Sequence, residues 1–281
     1  MINSLLPRDA LKGVRLGLSA SDSPDMERLG LNPRHFKLAL GELARLVLAG
    51  GGTLAWGGHL LPDGLTPFLV DEVVRYGRKD DDALLVCLAW WVHRQVPLSV
   101  ISETVDRLGR HGRVVCLSKD GKVIPPDTER SEAPEQETDP WEKAKQLTKM
   151  RKYLVENTQG RLMIGGRRTG FQGRQPGLVE EALMTLTAGQ PLYLAAGFGG
   201  ATADIARAAG LKMDWLTPDP QAQAMDPALF NGLADIRDTL SVRPLITELD
   251  GDELAALACT HRPSDIATLV SRGLGRHFAG R

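Results

Sequence analysis

A run of three apolar residues, Leu162-Met163-Ile164, breaks at once into Gly165-Gly166-Arg167-Arg168-Thr169-Gly170-Phe171-Gln172-Gly173-Arg174-Gln175-Pro176-Gly177. A helical pattern beginning Leu178-Val179-Glu180-Glu181 follows directly. A buried strand, a basic glycine loop and a helix start, in that order, read as an anion site. The first backbone N–H groups of a helix have no internal partner, and the helix dipole favours negative charge there. Arg167, Arg168 and Arg174 add charged donors to the same place. A surface turn is the alternative, but a turn alone does not need so many arginines and glycines.

The same order recurs along the chain. Residues 53–56 form a short apolar strand, followed by Gly57-Gly58-His59. Residues 191–195 form another, followed by Gly197-Phe198-Gly199-Gly200 and a helix over 203–209. A first strand, 14–19, runs into a small polar stretch, Ala20-Ser21-Asp22-Ser23. Open α/β sheets place ligand groups outside the carboxyl ends of their strands. Ser19, Ala20, Ser21 and Asp22 are therefore candidate ligand contacts, with capping or turning the chain as the alternative. His59 is either a ligand contact or base, or a solvated loop histidine.

Further strands are expected at 84–88 and 113–117, with 121–124 as an extension or hairpin arm. The apolar stretch 83–92 suits a buried strand with Trp90 and Trp91 at its end, for packing or for stacking on a base. Helices are expected at 36–49, 66–76, 99–108, 141–155 and 178–186, and over 226–240, 252–259 and 265–274, the last capped by Ser264. The helix at 141–155 carries Lys143, Lys145, Lys149, Arg151 and Lys152, read as a solvated basic face rather than a docking face. The charged turn 78–82 reads as solvated surface, not a metal cage. Alternation of strands and helices predicts an α/β fold: one Rossmann-like, doubly wound, mainly parallel sheet with helices on both faces. The whole chain, 1–281, is expected to form one domain, with 125–139 a Pro, Glu and Thr rich mobile insertion and 211–281 its mostly helical last part.

The 281 residues are 42% hydrophobic, enough for a sizeable core, and carry a net charge of -1. No overall basic field points to nucleic acid. Cys87, Cys116 and Cys259 show no CxxC spacing and read as reduced thiols of a cytoplasmic protein. No secretion signal, membrane span or metal site is expected.

Three stretches together carry a resemblance: 165–181, 191–201 and the C-terminal pattern 253–274. They resemble the SLOG superfamily, and within it the LOG/Smf-DprA/TRPM-like (LSDAT) branch. The resemblance implies a Rossmann-like sheet that binds a nucleotide or nucleotide-derived messenger of the ADP-ribose or NAD type, in bacterial signalling or anti-phage defence. It implies no required cofactor, a homo-oligomer and an effector partner encoded nearby. Relatives also include N-glycosidases acting on nucleoside monophosphates, and proteins of the Smf-DprA kind that bind single-stranded DNA. The hydrolases carry Pro-Gly-Gly-x-Gly-Thr-x-x-Glu. Aligning Gly177 with its last glycine assigns Glu180 to its glutamate and puts Leu178 where the motif has threonine. Gly173-Arg174-Gln175-Pro176 stands where the motif begins, a departure that favours binding over hydrolysis. On this basis Gly165, Gly166, Arg167, Arg168, Gly170, Gly173, Arg174, Pro176, Gly177 and Glu181 are expected ligand contacts, together with Gly57, Gly58, His59 and the turn Gly197 to Gly200. Glu180 or Glu181, the first matched to the motif, is expected to act in any hydrolysis, with Arg167 holding the phosphate.

Overall fold

A computed structural model of the chain describes residues 7–78, 82–128, 130, 133–217 and 225–279. Lys79, Asp80 and Asp81 of the charged turn, and Glu129, Ser131 and Glu132 of the expected insertion, lie outside the described residues.

Seven strands form one sheet: β1 (Arg15–Ser21), β2 (Thr53–Gly57), β3 (Leu84–Leu88), β4 (Gly112–Leu117), β5 (Val123–Ile124), β6 (Gly160–Gly165) and β7 (Leu192–Ala195). Their order is β5-β4-β3-β2-β1-β6-β7, parallel except for the hairpin arm β5. Parallel neighbours need a crossover, and the sequence supplies helices between them. These are α1 (Pro33–Ala49), α2 (Leu65–Tyr76), α3 (Trp90–Arg94), α4 (Leu98–Leu108), α5 (Pro140–Glu156) and α6 (Gly177–Thr187). After β7 come α7 (Gly200–Ala208), α8 (Pro227–Val242), α9 (Gly251–Cys259) and α10 (Pro263–Phe278). The expected α/β doubly wound sheet is the fold observed.

Local chemistry explains the elements. Every residue of β3, Leu-Leu-Val-Cys-Leu, is buried, as a strand covered on both faces requires. In α1, Asn32 caps the first turn, Pro33 sits at its first position, and Phe36, Leu40, Leu43 and Val47 form the buried stripe. The two faces of β6 and β7 feed two cores. Leu162, Ile164, Tyr193 and Ala195 join the large core with α1 and α10, whereas Met163, Leu192 and Leu194 join α6, α7 and α8.

Three expectations change. Strand β1 continues through Ser21, because Ala20 and Ser21 pair with Ile164 and Gly165 of β6. The apolar stretch 83–92 breaks at Ala89 and turns into α3. The backbone N–H of Trp91 is satisfied there by Gln146 Oε1 of α5 at 3.0 Å, a partner 55 positions away. Helix α10 starts at Pro263 with Arg262 as its cap, so Ser264 lies inside the first turn.

Candidate functional site

The chain leaves β1 towards β2 and leaves β6 towards β7, so the winding reverses between β1 and β6. Ligands of open α/β sheets bind at this kind of switch point. Here a cleft of about 840 Å³ opens across the ends of β6, β1, β2 and β3.

Its first wall is the end of β1. Ser19, Ala20, Ser21 and Asp22 line the cleft. Ser19 is buried and its Oγ accepts from Arg161 Nη1 at 2.8 Å. Asp22 is exposed and lies 3.5 Å from Arg167 Nη2. Gly57, Gly58 and His59 form the next wall. The turn is glycine for packing reasons too: a Cβ on Gly57 would sit 2.5 Å from Leu154 of α5, and one on Gly58 would enter the Trp56 ring. Burial pulls the His59 imidazole below its ordinary range, a backbone hydrogen bond opposes this, and the Arg167 charge adds to the depression.

The loop from Gly165 to Gly177 divides its residues. Gly165 and Gly166 take φ of 69° and 106°. They thread between strand and helix: Gly166 N–H donates to Ser21 O at 2.9 Å, and Ala201 N–H to Gly166 O at 3.0 Å. Arg167, Gly170, Phe171, Gln172 and Gly177 line the cleft. Arg168 turns the other way, donating from Nε to Asp204 Oδ2 at 2.6 Å and pairing with Asp25 at 2.8 Å. Arg174 stacks 4.1 Å over the Trp141 ring. Of the three arginines expected to hold an anion together, only Arg167 reaches the cleft.

Gly173 and Gly177 have a different task. Their added Cβ atoms would fall 3.0 and 2.6 Å from the guanidinium of Arg151, which fills the space under the loop. Arg151, read from sequence as solvated, is buried and lines the cleft floor. A signal was present: Leu147, Met150, Arg151 and Leu154 share one helical stripe. Arg151 donates to Glu180, which also accepts from Thr148 Oγ1 at 2.5 Å. Glu181 lies 3.8 Å from Arg151 Nε and 3.5 Å from Arg161 Nη1. Burial lowers the affinity of Arg161 for its proton, Glu181 restores part of it, and Arg151 opposes that. Two carboxylates and two guanidiniums thus form a charge-balanced buried cluster, the condition under which buried charges are tolerated.

The motif's own spacing corrects the alignment. Counted from Gly177, the glutamate of Gly-Thr-x-x-Glu falls four residues on, at Glu181 and not Glu180. Glu181 is also the one that lines the cleft, while Glu180 and Pro176 do not.

The second glycine turn is support rather than wall. None of Gly197, Phe198, Gly199 and Gly200 lines the cleft. A Cβ on Gly197 would strike the backbone of Thr260, and Phe198 is fully buried edge-on to Phe36 at 5.6 Å. β7 lies one strand beyond the switch point, and the turn after α9 covers its end. Sequence reading also missed Lys37, Gln95 and Gln136 on the cleft wall. Gln136 comes from the stretch expected to be an insertion. Arg130 of that stretch donates to Val96 O at 3.0 Å, and Glu135 N–H to Arg94 O at 2.9 Å.

Among the described residues, no group of three or more His, Cys, Asp or Glu is placed to hold a metal, and no helix is long and apolar enough to cross a membrane. No curated protein matches the chain. The family model described as SLOG cluster2 matches residues 10–257, which include every wall of the cleft. The chain therefore belongs to the SLOG cluster2 family, and its function is nucleotide-related.

Proposed function

We propose that the chain binds a nucleotide or nucleotide-derived messenger, of the ADP-ribose or NAD type, in the cleft at the β1/β6 switch point. The observation that carries this reading is the convergence there of Arg167, the Gly57-Gly58-His59 turn, the end of β1 and the start of α6 around Gly177. Arg167 supplies a charged donor for a phosphate, and the start of α6 adds its dipole. Glycines let the backbone approach a pyrophosphate. The family resemblance supports a bacterial signalling or anti-phage setting, in which a homo-oligomer passes the bound state to an effector. Thermal unfolding with AMP, ADP-ribose and NAD tests the reading. A true ligand at 100 times its Kd adds about 2.7 kcal/mol of stability. Absence of stabilisation by every nucleotide overturns it.

One observation favours a second reading, N-glycosidic hydrolysis. Glu181 presents a carboxylate to the cleft beside Arg151. Such a carboxylate can stabilise a cationic ribose or activate water. Chromatography for free base after incubation with AMP or NAD separates cleavage from binding, and Glu181→Gln should abolish any release.

A further inference from the structure

The cleft runs past the switch point to the end of β3, where α3 forms its far wall. The two faces of α3 do different things. Trp90, His93 and Arg94 bind it to the body: the His93 ring meets Leu117 O at 3.0 Å, and Arg94 stacks 4.0 Å over Trp90 and donates to Thr128 O at 2.6 Å. Trp91, Val92 and Gln95, at helical spacing on the other face, line the cleft. The Glu135 N–H bond to Arg94 O holds the next segment beside α3 and brings Gln136 to the same wall. Trp91 is only 8% exposed, and its indole N–H has no hydrogen-bond partner among the described residues. Gln95 and Gln136 are exposed at the wall.

An indole bordered by Val92 and Leu147, with two carboxamides alongside, is chemistry for a heteroaromatic ring. The indole brings an aromatic ring to the wall, with Lys143 Nζ 5.3 Å from its centroid and its own N–H enclosed. Each carboxamide carries a donor and an acceptor, the pattern that pairs with neighbouring acceptor and donor groups of an adenine edge. Arg167, after β6, lies three strand positions from Trp91, after β3. At the usual strand spacing that separation is ~14 Å along the sheet edge. A ligand laid along it meets charge at one end and an aromatic, amide-lined slot at the other. Resting on the nucleotide reading above, we propose that Trp91, Gln95 and Gln136 form the base-recognition subsite, which takes a purine-type heterocycle with adjacent donor and acceptor groups.

Calorimetry on the full chain with AMP, ADP-ribose and ribose 5-phosphate tests this. The wild type should bind at least one of the two nucleotides about tenfold or more tightly than ribose 5-phosphate. The double variant Gln95→Ala/Gln136→Ala should erase that advantage and leave ribose 5-phosphate affinity unchanged. Trp91→Ala, which removes the ring, should reduce the advantage in part. Arg167→Ala should weaken nucleotides and ribose 5-phosphate alike. If a nucleotide binds but its advantage is absent, survives the double variant, or falls only in step with ribose 5-phosphate, the subsite assignment is overturned and the nucleotide reading stands. If no nucleotide binds the wild type, the nucleotide reading falls, and the subsite with it.

Discussion

Asp25 Oδ2 accepts the backbone N–H of Gly200 at 2.7 Å and so joins the segment after β1 to the second glycine turn. The same carboxylate pairs with Arg168 and Arg28, each at 2.8 Å, and is 2% exposed. Burial pushes this carboxyl up, but hydrogen bonds from Arg28 and Gly200 and the Arg168 charge outweigh it and hold it below its ordinary range. Asp25→Ala strands the Gly200 amide and one face of Arg168, at a cost of about 2–4 kcal/mol. Because the folded pKa is depressed, this contribution is present above the unfolded carboxylate pKa of about 3.9 and is lost as pH falls through the lower folded value. Urea midpoints of both forms at pH 7 measure it. A difference below about 0.5 kcal/mol would show that the lock contributes nothing.

Most of the fold was legible in the sequence, because strands and helices announce themselves by local period: β3 by its unbroken apolar run, α1 by its 3.6-residue stripe of Phe36, Leu40, Leu43 and Val47. The site was legible by half. Strand-end position alone predicted Ser21, Gly57 and Arg167 on the cleft. Long-range pairing hid the rest. Nothing near Arg168 in sequence announces Asp25 or Asp204, and nothing near Gly197 announces Thr260. Basic and glycine residues look alike from sequence whether they meet a ligand or a buried carboxylate.

The Arg151–Glu180 pair should behave as a unit. Arg151→Met alone leaves Glu180 buried with Thr148 as its one remaining partner among the described residues, which costs about 3–5 kcal/mol. Adding Glu180→Leu removes the stranded charge and should recover a good part of that loss. A double-mutant cycle in denaturant should give a coupling of about 1–3 kcal/mol. Strict additivity would show that the two side chains do not depend on each other.

Two glycines of the expected site separate packing from backbone freedom. A Cβ on Gly197 runs into the Thr260 carbonyl, which cannot swing aside, so Gly197→Ala should cost several kcal/mol or prevent folding. Gly170 takes φ of 65° with nothing within 4 Å of its Cβ direction. Gly170→Ala should cost only the left-handed backbone penalty, about 1–2 kcal/mol. Thermal unfolding ranks the two, and the reverse order would refute the packing role of the second turn.

His93 is fully buried, and burial lowers its pKa to about 4 against the opposing bond to Leu117 O, with Arg130 and Arg94 lowering it further. The unfolded imidazole takes its proton near pH 6.5. The folded state therefore binds fewer protons between those values, so stability is full above about pH 6.5 and falls as pH drops towards 4. The loss amounts to about 2–3 kcal/mol. In His93→Gln the amide can still reach Leu117 O but does not titrate, so this part of the pH slope should vanish. An unchanged slope would assign the acid sensitivity to other groups.

The division of the three loop arginines gives the sharpest functional contrast. Arg167 lines the cleft, 60% exposed, and among the described residues its one ion pair is with Asp22 at 3.5 Å. A partner that loose is readily exchanged for a phosphate, which offers shorter charge-assisted bonds. Arg168 is already saturated by Asp25 and Asp204, and Arg174 lies on Trp141 outside the cleft wall. Arg167→Ala should weaken binding of ADP-ribose or AMP by about 10- to 100-fold with little change in melting temperature, since it removes a charged hydrogen bond to the ligand and almost none within the fold. Arg174→Ala should change neither quantity. Arg168→Ala should lower the melting temperature through its two stranded aspartates, and any loss of affinity should follow that loss of structure. Calorimetric titration alongside thermal melts distinguishes the three. Loss of affinity in Arg174→Ala as large as in Arg167→Ala would mean that the loop reorganises to bring both arginines onto the anion.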